Sequence, residues 1–246
     1  IVSMSGHSKW STIKREKGAK DAKRGAVFTR IGNQIAIAAR GGVDPAQNST
    51  LALAIEKAKN VNMPMSNIQR AIDRVADKSA AQLEEIVYEG YGPGGTAIIV
   101  EVATDNRNRT FPEVKHAFSK SGGTMAEPGS VMFQFTRRGV VVVAVNDDVD
   151  TQLLTALDAG AEDAIVEDDE MVIYTGQKDL HRVRQSLINN GMAVRSAELS
   201  YVPNSAVMID DQETAEKIMR LMNVIDELDD VTGTASNVEF GEHIVL

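Results

Sequence analysis

The sequence predicts an α+β protein: an N-terminal three-helix domain with a basic arm, followed by two ferredoxin-like α/β domains, one inserted in the other. Three observations carry this prediction. Apolar residues recur at helical spacing as far as about residue 78, and from about residue 83 short β-branched runs alternate with helical stripes. Residues 139–202 complete a β-α-β-β-α-β order by themselves, the ferredoxin-like order, while the segments on either side each supply half of another. The predicted boundaries are 1–80 for arm and helical domain, 81–136 plus 203–246 for the split domain, and 137–202 for the insert. A length of 246 residues accommodates one to three such units.

In the arm, residues 4–26 hold few large apolar side chains beyond Trp10 and Ile13, so it buries little by itself. The first helix is predicted over Val27–Arg40, with Phe28, Ile31, Ile35 and Ala38 on one stripe and Gly41-Gly42 as its stop. A second spans Thr50–Asn60. A third opens at Ser66, three residues before Gln69, a capping-box spacing. Ile98, Val100 and Val102 alternate along Thr96–Ala103 as a strand. Thr110 and Glu113 form another capping-box spacing and open a helix through Phe118, closed by Gly122-Gly123, with a strand at Ser130–Phe135 after it.

The insert reads as strand Val140–Val145, helix Asp150–Ala159, hairpin Ala164–Val166 and Met171–Tyr174, a helix carrying Leu180, Val183, Leu187 and Ile188, and strand Ala193–Val202. A strand at Ala206–Ile209, a helix over Glu213–Leu228 and a strand near Asn237–Phe240 complete the split domain.

Composition narrows the function classes. No apolar run approaches the roughly 18 residues of a membrane span, so no membrane association is expected. With 0 cysteines there is no disulfide framework, thiolate metal site or cysteine nucleophile, and a reducing compartment is consistent with that. His7, His116, His181 and His243 stand in no metal-ligand spacing, and no hydrolase, P-loop or zincin motif is present. No catalytic residue, metal or cofactor is therefore expected. Asp147, Asp148 and Asp150, and the run Glu167–Glu170, depart from the calcium-loop pattern and read as helix capping and a polar turn. Gly90–Gly95 precedes a strand rather than a helix N-terminus, so it reads as a tight turn rather than a phosphate cradle.

The net charge of -9 taken alone disfavours nucleic acid, yet it is unevenly distributed. Residues 1–80 carry 14 Lys+Arg against 6 Asp+Glu, a local +8, and the remainder is at -17. Such asymmetry points to a basic nucleic-acid-facing module attached to acidic domains. Its candidate contacts are His7, Lys9, Trp10, Lys14, Arg15, Lys17, Lys20, Lys23 and Arg24, cations interleaved with one stacking aromatic, as phosphate contact and base stacking require. Trp10 serves equally well as an anchor of the arm onto the helices. Arg107 and Arg109 alternate with Asn106 and Asn108 between a strand and a capped helix. They are candidate phosphate ligands, or members of a closed loop in which Asp105 neutralises one of them.

The run Gly6-His7-Ser8-Lys9-Trp10, with Ile13, Lys14, Lys17, Gly18, Asp21-Ala22-Lys23-Arg24-Gly25 and Phe28, closely resembles the opening of the YebC family. The likeness continues through Asn62-Met63-Pro64, Asn67-Ile68, Tyr88–Gly95, Thr104–Thr110, Glu113-Val114, His116–Lys120 and Gly122-Gly123. Between residues 140 and 200 the pattern alone supports it, and the Asp44–Thr50 and Lys78–Leu83 segments depart from it. The resemblance implies a three-domain protein without known catalytic activity. Bacterial members were described as DNA-binding transcriptional regulators, and members have been associated with ribosomes stalled at proline-rich stretches. A mitochondrial relative is a translational activator of a cytochrome c oxidase subunit.

Two functions then compete: a translation factor on the ribosome and ribosomal RNA, or a DNA-binding transcriptional regulator using the same basic surface. The flexible arm with its single Trp suits irregular or single-stranded RNA, and no helix-turn-helix spacing is evident. An enzyme or small-molecule sensor on the ferredoxin-like domains has no motif behind it. The expected compartment is the bacterial cytoplasm, or the mitochondrial matrix for a eukaryotic chain.

Overall fold

Three helices open the described chain: α1 (Arg24–Ala38), α2 (Ser49–Asn60) and α3 (Met65–Asp73). The computed structural model describes residues 24–75, 82–167 and 169–245. Three of the four predicted stripe residues are buried, Ile31, Ile35 and Ala38 of α1 meeting Leu51 and Ala58 of α2 and Ile68 and Ile72 of α3, while Phe28 packs against them partly exposed. Asn48 fixes the α1–α2 corner. Its side-chain oxygen accepts from the Leu51 amide at 3.1 Å, and its amide donates to the carbonyls of Ala38 and Gly42. The capping box at Ser66 does not form: α3 begins one residue earlier behind Pro64, and Gln69 turns forward to Asp73 at 2.8 Å.

The α+β class holds, with two four-stranded antiparallel sheets. The first has the order β3-β1-β2-β9, from β1 (Glu84–Tyr91), β2 (Ala97–Thr104), β3 (Thr124–Ala126) and β9 (Val231–Ser236). Against one face lie α4 (Arg107–Lys120) and α7 (Gln212–Asp226), burying Val114, Phe118, Ile218, Leu221, Met222 and Ile225 on Ile98, Val100 and Val102. Gly90 lies directly beneath the Phe118 ring, which its missing Cβ would otherwise meet. The Gly92–Thr96 turn joins antiparallel β1 and β2, with Gly94 and Gly95 at φ +72° and +75°, so no helix N-terminus follows that glycine run.

Several predicted elements of this unit are corrected. Residues 130–134 form a turn and a short 3-10 segment rather than a strand, and Phe135 opens the ten-residue β4 (Phe135–Ala144). The sheet takes its strands from residues 84–91, 124–126 and 231–236 instead. The strands expected near 206–209 and 237–240 exist as β8 (Val207–Ile209) and β10 (Val238–Phe240), but they pair with each other in parallel, apart from the main sheet.

The second sheet comprises β4, β5 (Asp163–Glu167), β6 (Glu170–Thr175) and β7 (Val194–Pro203), in the order β5-β6-β4-β7. With α5 (Val149–Asp158) and α6 (Leu180–Asn189), its chain order is β-α-β-β-α-β, as expected. Val141 and Val143 face these helices, while Val140 and Val142 face the opposite side. At the crossing between the sheets, Phe135 and Tyr201 pack behind the first sheet on Ala97, Ile99 and Ala235.

Candidate nucleic-acid interface

The Thr104–Thr110 segment is built around a carboxylate that lies 120 residues further along the chain. Asn106 caps α4, its side chain accepting from the Arg109 amide at 3.2 Å, so the helix starts at Arg107 rather than at Thr110. The expected Thr110/Glu113 capping box is therefore absent, because Thr110 is already inside the helix and buried. Its hydroxyl donates to Asp230 at 2.5 Å, Thr104 donates to the same oxygen at 3.1 Å, and the Arg109 guanidinium reaches it at 2.7 Å. Burial pushes the Asp230 carboxyl up, but the bonds from Thr110, Arg109 and Thr104 outweigh it and hold the group below its ordinary value. Arg109 also faces Asp105 at 3.4 Å, and Arg74, just after α3, faces Asp105 at 3.5 Å.

These groups line a cleft of about 540 Å³ between the helical unit and the first sheet. Thr29 and Asn33 of α1 form one wall; Asp105, Arg109, Glu113, Glu227, Asp229 and Asp230 supply most of the rest. Five carboxylates against two guanidinium groups leave the cleft acidic, and both guanidiniums are engaged with carboxylates. The helical unit is tied to the sheet here. Gln34 donates to the Thr232 carbonyl at 2.8 Å, Arg40 donates to the Leu83 carbonyl, and Arg74 bonds Asn33 at 3.4 Å.

The two candidate arginines of the loop thus differ. Arg109 is half exposed and committed to Asp105 and Asp230. Arg107 is exposed at the first turn of α4, with no described carboxylate within ion-pair distance. Arg24 is the first residue of α1. His7, Lys9, Trp10, Lys14, Arg15, Lys17, Lys20 and Lys23 lie outside the described residues.

The other acidic clusters have local roles. Asp148 caps α5 by accepting from the Thr151 amide at 3.2 Å, and bonding to Thr151 holds its carboxyl below the ordinary value. Asp169 and Glu170 at the β5–β6 turn pair with Arg195 at 3.0 and 2.7 Å. His116 and His181 are exposed, and the His243 ring contacts the Asp210 carbonyl at 2.8 Å. Among the described residues no group of three or more His, Cys, Asp or Glu is arranged to hold a metal, and no helix is long and apolar enough to cross a membrane.

Sequence reasoning missed Asp230 and Glu89. The latter, on β1, is buried and accepts the amides of Gly129, Val131 and Met132 at 2.6, 2.8 and 2.8 Å. Burial raises its pKa, but the three amides outweigh burial and keep it low. Both residues sit among strands and turns whose partners are distant in sequence, so no local spacing marks them.

A family model described as "TACO1/YebC protein N-terminal domain" matches residues 8–78, and one described as "TACO1/YebC second and third domain" matches residues 83–238. The chain belongs to the TACO1/YebC family. It is 45% identical over 246 residues to a "probable transcriptional regulatory protein" of Desulfitobacterium hafniense, covering 98% of each chain. A protein of the same description from Dehalococcoides mccartyi is 47% identical over 245 residues, covering 98% of this chain and 97% of the other. Among solved structures, a conserved hypothetical protein from Aquifex aeolicus superposes with a TM-score of 0.85 at 40% identity, covering 92% of this chain and 94% of that one.

Proposed function

We propose that the chain is a non-enzymatic, nucleic-acid-binding regulator of gene expression acting in translation, on the ribosome and its RNA, where it helps synthesis through stalling, proline-rich sequences. The observation that carries this reading is the charge segregation: +8 over residues 1–80 against -17 over the rest. A concentrated cationic segment gives affinity for phosphate, and a net negative body opposes indiscriminate binding to it. The division into domains 1–80, 81–136 plus 203–246, and 137–202 belongs to the same proposal, with the first as the RNA-facing module. The proline-specific role is what the family resemblance implies, and the bacterial relatives support a cytoplasmic setting over a mitochondrial one.

The acidic cleft supports the arm, rather than the Arg109 side of the loop, as the phosphate contact. In a reconstituted translation reaction, adding the protein should raise full-length product from a message encoding consecutive prolines and leave a proline-free control unchanged. Equal effects on both messages, or none, would remove the translational role. The second reading, a DNA-binding transcriptional regulator, is favoured by the description of the bacterial relatives. It predicts sequence-selective duplex binding at physiological salt.

A further inference from the structure

We propose that the outward face of α4 is a second RNA-contacting surface, on which Phe111 stacks against a nucleobase while Arg107 and Lys115 hold the flanking phosphates of a single strand. The inference rests on the RNA-binding reading and gives that reading a site within the folded part of the molecule. Helical geometry separates two faces of α4. Thr110, Val114, Ala117 and Phe118 are buried on the sheet, whereas Phe111, Lys115 and Ser119 follow at intervals of four on the exposed side.

Phe111 is 42% exposed, on the solvent side of α4. It is nevertheless held in place. Its ring meets the buried Tyr88 ring edge-on, with centroids 5.9 Å apart and planes at 61°, so one side of it is fixed by the sheet and the other is open. A pre-oriented aromatic is what base stacking uses, because little side-chain freedom is lost on binding.

Arg107 and Lys115, four residues before and after Phe111, have no described carboxylate within ion-pair distance, Arg107 resting against the Tyr88 hydroxyl, whereas Arg74, Arg109, Arg137, Arg138, Arg184 and Arg195 are all paired with carboxylates. The carboxylate of α4, Glu113, faces the cleft beside Arg109 and Thr29, away from this stripe. In a chain of net charge -9, an unneutralised basic patch around an aromatic favours a polyanion with π faces over an acidic peptide.

The test uses the full chain and a fluorescein-labelled oligouridylate twelve-mer, with anisotropy followed over a salt series. Phe111→Leu keeps apolar packing on Tyr88 and removes the stacking face; it should weaken binding about tenfold, with an unchanged melting temperature. Arg107→Gln with Lys115→Gln should lower the magnitude of the log–log salt slope by about 1.4. With 4-thiouridine in the oligonucleotide, photo-crosslinks should map to the peptide containing Phe111. Unchanged affinity and slope in these variants, with binding still lost when Lys9, Lys14 and Arg15 are replaced by Ala, would overturn the α4 site and leave the RNA-binding reading standing. Absence of oligouridylate binding by the unmodified protein would overturn both. Crosslinks mapping only elsewhere would overturn the α4 site alone.

Discussion

The guanidinium of Arg109 lies 2.7 Å from the carboxylate of Asp230, 121 residues away in sequence, at the point where the first turn of α4 meets the strand entry after α7. Two threonine hydroxyls complete the shell around that carboxylate. An arginine that reads in sequence as a phosphate ligand is thus part of the joint holding the cleft together. Asp230→Asn should destabilise the protein by about 2–4 kcal/mol, because it removes the charge that Arg109, Thr104 and Thr110 address in a buried site. Urea unfolding at pH 7 measures this; a change below 0.5 kcal/mol on the order expected for surface substitutions would contradict the structural role.

Glu89 makes the stability of the first sheet pH-dependent. Its folded pKa is depressed, so its contribution is present above the unfolded value and is lost as pH falls through the lower folded value. Denaturant unfolding should therefore show a decline between about pH 5 and pH 3 that is smaller in Glu89→Gln, which is already destabilised at pH 7 by about 2–3 kcal/mol. Parallel pH profiles for the two proteins would show that the Gly129–Met132 turn does not depend on that charge.

The helical unit also meets the second sheet, through Arg184–Glu56 and through Lys57–Glu198 at 2.9 Å, beside Leu53. Arg184 is largely buried and Lys57–Glu198 largely exposed, so the first pair should matter more. Glu56→Lys and Arg184→Glu should each lower the melting temperature by about 2–4 °C, and the double reversal should recover part of the loss. Strict additivity would mean that the two side chains do not couple.

The acidic body should limit non-specific binding. Residues 141–246 hold 22 Asp+Glu against 6 Lys+Arg, and replacing exposed members such as Asp147, Glu213 and Glu242 by Asn or Gln should raise affinity for unrelated RNA at low salt. Affinity that does not move would reduce that acid to ordinary solvation.

Legibility followed the range of the interactions. The element order over residues 139–202 is legible in the chain because each element has its own period, and Val140–Val143 and Leu180–Leu187 pack largely on neighbours within those residues. The first sheet was harder for a physical reason. Glu84-Glu85 and Gly90 break the alternation of β1; β3 has three residues; and β9, Val231-Thr-Gly-Thr-Ala-Ser236, is made of small and polar residues whose strand state comes from pairing with β2. A strand over Ser130–Phe135 does not form because Val131 and Phe135 are buried by tertiary packing, while Glu89 draws the amides of Gly129, Val131 and Met132 into a turn. The candidate site divided in the same way: Arg107 stands exposed as its loop position suggests, whereas the partner of Arg109 could not be found from spacing at all.

The replacement of Lys9, Lys14 and Arg15 by Ala bears on the arm itself. If about four arm residues contact single-stranded phosphates, the salt slope for RNA should be roughly -3 and should flatten in the triple variant. A slope that stays the same would move the electrostatic contact off the arm.

Co-sedimentation of the purified protein with ribosomes, run beside duplex-DNA binding over the same salt series, tests the central claim most directly. The account predicts a protein that pellets with ribosomes at physiological salt, loses that association when the three arm cations are removed, and binds duplex DNA only weakly and without sequence preference. Sequence-selective duplex binding at physiological salt, with the protein left in the ribosome-free supernatant, would contradict it.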